Sequence, residues 1–346
     1  MKGRAVRRIV TGRPFRWGFA AVCVCIGGYS VARQWHQVRP ALANIGGLAV
    51  AGALLAVLAA LVAAMQVWRL MLSGLGSALP VPLAARVVFV GQLGKYAPGS
   101  VWPVLTQMEL CSAYQVPRHR SATASVLNAL LAILCGLLIA VVTLPLVAGS
   151  KSYLWALLAV PCLLACLHPR VLNYLLAGLF RLTRKPVPAQ PLSLRAIVEA
   201  VAWSAGSWFC YGLQIWLLAI QLGEPRNAQG MLLVLGAFAF AWCAGFLAVF
   251  VPAGAGVREV VLVALLSPKI GVGPATAVAL VSRILTTVGD LVTASAASGY
   301  SWWWRRSRGN QDEVAEDTHQ SLPVAQSGRA PSDLCLPSVP SRDDSA

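Results

Sequence analysis

Five carboxylates precede residue 309: Glu109, Glu199, Glu224, Glu259 and Asp290. Glu259 follows Arg258 in Val251-Pro252-Ala253-Gly254-Ala255-Gly256-Val257-Arg258-Glu259, and Asp290 stands seven residues after Arg283 in an otherwise apolar stretch. That spacing is about two helical turns, so Arg283 and Asp290 share a helix face yet are too far apart along it to bond. Each needs partners from elsewhere, and Lys95, Arg258 and Glu259 are the candidates. Lys95 sits in a second broken stretch, Gly94-Lys95-Tyr96-Ala97-Pro98-Gly99-Ser100-Val101-Trp102. An isolated charge at the centre of a bilayer costs from about 2.5 to well over 10 kcal/mol, so an ionisable group in apolar sequence faces a cavity or a partner.

These residues admit two readings. One is a buried ion network that fixes helix register, with Lys95 snorkelling and Tyr96 and Trp102 as interfacial anchors. The other is an anionic headgroup site lined by Lys95, Arg258 and Arg283, in which Glu259 and Asp290 hold the arginines in place. The Gly254–Gly256 break exposes backbone N–H groups and sets a helix N-terminus just before Arg258, an arrangement that favours phosphate or carboxylate. Pro98 and Gly99 break the other stretch more sharply than interfacial anchoring requires.

Catalytic chemistry finds little support. Ser100, Ser282 and the cysteines have no histidine placed as a base, His36 and His119 fall in loops, and neither a Walker loop nor an HExxH pattern occurs. The chain is not expected to be an enzyme. Seven of its nine cysteines, Cys23, Cys25, Cys135, Cys162, Cys166, Cys210 and Cys243, lie in apolar stretches as small hydrophobes. Cys162 and Cys166 have i, i+4 spacing but only His168 nearby, so neither a metal site nor a cofactor is expected.

The elements that must position the charged residues are membrane helices. The chain has 346 residues, 58% hydrophobic and 12% charged, against roughly 45–50% and 25% in soluble domains. A hydrocarbon core about 30 Å thick needs roughly 20 apolar residues per helix. The expected fold is an all-α, polytopic membrane helix bundle with about eight spans: Trp17–Val31, Asn44–Val67, Ala122–Val147, Tyr153–Leu167, Ile197–Ile220, Met231–Val251, a short Val257–Leu266, and Ala275–Ala297. Trp17–Val31 is read as a retained first helix rather than a signal peptide.

The net charge of +16 does not form one patch. Arg4, Arg7, Arg8, Arg13 and Arg16, the Arg69–Arg120 region, the Arg170–Arg195 loop and Arg305–Arg308 all fall on one side of the span order. The positive-inside rule then places both termini in the cytoplasm of a multi-pass plasma-membrane protein, and nucleic acid is not an expected partner. Residues 1–308 form the expected membrane domain. The 309–346 segment carries seven acids against two arginines and few apolar residues, and is expected to be a disordered cytoplasmic tail.

Pro80–Arg120 is too apolar for a loop and too broken for a span, so a re-entrant or half-helix segment is expected there. It follows the second span as the Gly254–Gly256 break follows the sixth, at matching places in two four-span halves. Such paired interruptions point to a binding site in a transporter fold.

Two segments resemble the lysylphosphatidylglycerol synthase transmembrane-region family of flippase-like membrane proteins. Pro252–Glu259 is similar to that family's Pro-x-Gly-x-Gly-x-Arg-Glu, and Gly94–Trp102 looks like its lysine-tyrosine-proline-glycine interruption. Arg283 sits where members tend to carry an arginine in the last long helix. The resemblance covers roughly residues 15–300, and implies a membrane region that binds or moves anionic lipids. In bifunctional members a separate soluble domain attaches lysine to the lipid, and with only the 309–346 tail after the membrane region that activity is not expected.

The function expected is binding or translocation of an anionic lipid or a polyprenyl-phosphate-linked glycan. Two other classes stand beside it. An ion-coupled solute transporter would use Asp290, although few carboxylates are available. A non-transporting membrane partner would serve a glycosyltransferase or a cell-envelope complex.

Overall fold

The computed structural model describes residues 35–96, 101–148, 157–182, 192–248, 254 and 256–320. The α-helices among them are α1 (Trp35–Asn44), α2 (Gly47–Gly74), α3 (Val81–Gln92), α4 (Trp102–Ser112), α5 (Arg118–Ala148), α6 (Ala159–Leu167), α7 (Pro169–Leu182), α8 (Leu194–Ala219), α9 (Ala228–Leu247), α10 (Val257–Ile270) and α11 (Val272–Gln320). Short 3₁₀ turns cover Leu93–Tyr96 and Ile220–Leu222, and no strand occurs among the described residues.

The chain divides into two compact units, Met1–Ser301 and Trp302–Ala346. In the second, α11 remains helical to Gln320, so residues 309–320 of the segment expected to be unstructured are helical. Residues 321–346 lie outside the described residues.

Among the described residues, four helical stretches are long and apolar enough to cross a membrane: Gly47–Gly74, Arg118–Val147, Ala228–Leu247 and Val272–Ser301. They coincide with four of the expected spans. The expected Ile197–Ile220 is α8, 26 residues long, whose apolar character is diluted by Ser204, Ser207, Gln214 and three tryptophans. Val257–Leu266 falls in α10, whose 14 residues reach only about 21 Å at 1.5 Å per residue, short of a bilayer core. Of the expected Tyr153–Leu167 only the part from residue 157 is described, and Trp17–Val31 lies outside the described residues.

Local sequence sets the helix starts. α3 and α4 carry Pro82 and Pro103 in their first positions, where a missing N–H costs nothing. Ser193 Oγ accepts from the Ala196 N–H at 3.2 Å to open α8, and Asn227 Oδ1 accepts from the Gly230 N–H at 2.8 Å to open α9.

Small residues then let the helices close on one another, as helix pairs in lipid require. α2 packs along α8, where a Cβ on Gly52 would lie 3.3 Å from Leu217 Cδ1 and Ser207 Oγ donates to the Ala60 carbonyl at 2.9 Å. A Cβ on Gly289 of α11 would lie 2.7 Å from Val57 Cγ1 of α2. α9 packs on α5, α8 and α10, and Trp68, Met71, Ile215, Leu218, Phe238, Leu262 and Leu266 form part of a continuous buried core.

The described part of the broken Pro80–Arg120 stretch holds two short helices, α3 and α4, packed against each other, with the Leu93–Tyr96 turn following α3. Pro98 and Gly99 lie outside the described residues.

Candidate functional site

Lys95 and Tyr96 close the 3₁₀ turn after α3 and reach α11. Lys95 Nζ lies 2.6 Å from Asp290 Oδ2. The Tyr96 hydroxyl donates to the same oxygen at 2.6 Å. Asp290 is 2% exposed, so its charge is balanced by these donors rather than by water. The expectation had Asp290 steadying an arginine; the cation seen bonded to it is Lys95, one of the candidate partners. Arg283 lies two turns away along α11, while the 3₁₀ turn brings a lysine within bonding distance.

The other break builds a second cluster. Gly254 and Gly256 have φ of +62° and +90°, a backbone that glycine adopts without strain. A Cβ on Gly254 would lie 2.9 Å from the Gly245 Cα and carbonyl oxygen of α9. This close approach seats the start of α10 on α9. Glu259 Oε2 accepts from the Gly256 N–H at 2.7 Å, capping the helix.

Glu259 Oε1 lies 3.7 Å from Arg258 Nε and 3.5 Å from Arg283 Nη1, ionic contacts longer than hydrogen bonds. Arg258 is 8% exposed, its guanidinium 5.2 Å from the centre of the Phe238 ring. Its Nε and Nη2 have no hydrogen-bond partner among the described residues.

Lys95, Arg258, Arg283 and Asp290 line one cavity of about 330 Å³. Of the supporting residues Gly254 lines it too, whereas Gly256 and Glu259 act from beside it. Sequence reasoning missed the rest of the wall. Trp208, Tyr211, Phe238 and Trp242 contribute an aromatic face from α8 and α9, and Gln92, Gln107 and Asn128 contribute amides from α3, α4 and α5.

Trp208 is fixed by its Nε1, which donates to the Ala132 carbonyl at 3.2 Å, and meets Trp242 edge to face at 5.3 Å. Gln107 accepts from Ser125 Oγ, which in turn accepts from Trp68 Nε1. Asn128 carried a readable signal, a lone amide in an apolar stretch. The aromatics carried none, because a cavity-facing and a lipid-facing tryptophan look alike in sequence.

The arrangement can hold an anion. A buried guanidinium with open donors, beside a helix N-terminus, offers charge-assisted and bidentate hydrogen bonds to a phosphate or carboxylate. A search of curated proteins finds no match to the chain. The sequence profile described as the lysylphosphatidylglycerol synthase TM region matches residues 16–293, a range that contains both breaks, Arg283 and Asp290. The chain belongs to the lysylphosphatidylglycerol synthase TM-region family, and is a multi-pass membrane protein related to lipid or envelope processes.

Proposed function

We propose that the chain is a flippase-like protein that binds the headgroup of an anionic lipid or a polyprenyl-phosphate-linked glycan in this cavity and moves it across the plasma membrane. In this reading α3, α4 and α10 are half-helices that bring polar groups to membrane depth, both termini are cytoplasmic, and the chain performs no covalent chemistry. The observation that carries it is Arg258, buried at the cavity wall with Nε and Nη2 unpartnered among the described residues. An open donor set at that depth is costly unless an anion completes it.

The test is anionic-lipid binding by the purified protein in nanodiscs, with thermal unfolding in parallel and scrambling of a fluorescent lipid in proteoliposomes. Arg258→Ala should lower affinity about tenfold or more, and Arg258→Lys should recover part of it, because lysine cannot engage a phosphate bidentately. If Arg258→Ala binds lipid normally and merely unfolds sooner, the cluster is structural and the proposal fails.

A further inference from the structure

The cavity has three walls of different chemistry, and together they narrow the headgroup class. This argument rests on reading the cavity as an anionic headgroup site. The first wall is charged. Lys95, Arg258 and Arg283 face two carboxylates, Glu259 and Asp290, leaving one formal positive charge in excess. A phosphodiester, with one negative charge, neutralises it. A phosphomonoester carries about −1.5 to −2 near neutrality and would leave excess negative charge in a poorly solvated space, as would a diphosphate. An aminoacylated headgroup would bring an ammonium to a site that is already cationic.

The second wall supplies neutral hydrogen bonds. Gln92 and Asn128 line the cavity, and neither side chain bonds another described residue. Each amide can donate twice and accept twice, which suits hydroxyl groups and gives a bare diester nothing to engage. The third wall is aromatic and rigid. Trp208 is held by its bond to Ala132 and by Trp242, and Tyr211 stacks on Phe238 at 5.4 Å. The electron-rich faces of such rings accept the weakly positive C–H groups of a sugar or cyclitol. A volume of about 330 Å³ lies at the small end of ligand pockets, with room for one ring rather than an extended glycan.

We infer that the cavity recognises a monoanionic phosphodiester carrying a single polyhydroxylated ring, the phosphate at Arg258 and Arg283, the hydroxyls at Gln92 and Asn128, and the ring against the half-buried Tyr211 and Trp242, which the buried Trp208 backs.

The experiment is native mass spectrometry of the purified full chain with short-chain phosphatidylinositol, phosphatidylmethanol and phosphatidic acid. These are a ring diester, a diester without hydroxyls, and a monoester. Phosphatidylinositol should bind about tenfold tighter than phosphatidylmethanol, a gain worth one or two hydrogen bonds, and phosphatidic acid should not exceed it. Asn128→Leu should weaken phosphatidylinositol about three- to tenfold and leave phosphatidylmethanol within about twofold. Gln92→Leu makes the same test if the first variant fails to fold.

Equal binding of the two diesters, both lost in Arg258→Ala, would sink the ring assignment and leave the anion site standing. Tighter binding of phosphatidic acid would sink the charge count. If Arg258→Ala alters no lipid, the underlying headgroup reading fails instead. Soluble glycerophosphoinositol separates the sources of this chemistry: competition equal to that of the lipid supports a free ring diester, and weak competition supports a lipid-linked one.

Discussion

Asp290 and Glu259 both hold cations at the cavity, on different terms. Asp290 takes Lys95 and Tyr96 at 2.6 Å on one oxygen. Glu259 commits one oxygen to the Gly256 N–H and leaves the other 3.5 and 3.7 Å from two arginines. The first is a tight pair whose members satisfy each other. The second holds two arginines at ionic distance and leaves Arg258 Nε and Nη2 without a hydrogen-bond partner among the described residues. A buried pair that is complete belongs to the stability of the fold, whereas one left incomplete in a cavity keeps its donors for something else.

The largest effect should come from breaking the tight pair. Lys95→Met strands a carboxylate that is 2% exposed and should cost about 3–5 kcal/mol, read as a fall in thermal unfolding temperature in detergent. The double variant Lys95→Met with Asp290→Asn should recover most of that loss, and a purely additive cycle would show that the two residues do not act as a pair.

Next is Gly254→Ala. It places a Cβ against the Gly245 backbone at a positive φ, at a cost of about 2–3 kcal/mol, and should displace Arg258 enough to weaken anion binding. Unchanged affinity would show that the Gly245–Gly254 contact does not position the arginine.

Glu259→Gln should be milder, about 1 kcal/mol, because a glutamine oxygen can still accept from Gly256. The positive excess would rise from one to two, so the variant should shift lipid preference towards phosphatidic acid in the same mass-spectrometric comparison. No shift would mean that Glu259 does not set the charge of the cavity.

The smallest effect serves as a control on a carboxylate outside the cavity. Glu224, in the α8–α9 connection, is buried with Oε2 unpartnered among the described residues. Burial pushes its carboxyl above the ordinary range, with Lys269 pulling the other way. A group raised on folding contributes stability that is complete below its unfolded pKa and is lost as pH rises through the folded value. Glu224→Gln should therefore flatten this decline, and unfolding temperatures at about pH 4 and at neutrality should diverge less than in the parent. An unchanged slope would remove Glu224 from the pH dependence.

The long helices were readable because about 20 apolar residues in a row have few other uses. α2, α5, α9 and the membrane part of α11 begin within a few residues of where hydropathy places them. Lys95 and Arg258 were readable as cavity residues because each interrupts such a run beside glycine and proline. Lys95 was one of three candidate partners for Asp290, but the choice among them was not readable, since no local period links residues nearly two hundred positions apart. The 309–320 helix was missed for a different reason. Low apolar content argues against packing, but Gln, Glu and Ala still favour a helix.

The contact between Gly245 and Gly254 also bears on how the protein moves. With no side chain between the backbones, and with Arg258 lying over Phe238 of α9, α9 and the start of α10 cannot slide past each other without a clash. They form one mechanical body that carries Arg258. In the proposed translocation, a change of access from one side of the membrane to the other would fall to the facing wall, where a single-turn 3₁₀ segment is tethered through Lys95 and Tyr96 to one oxygen of Asp290. The latch of such a device is the tight pair, and the loose one rides with the frame.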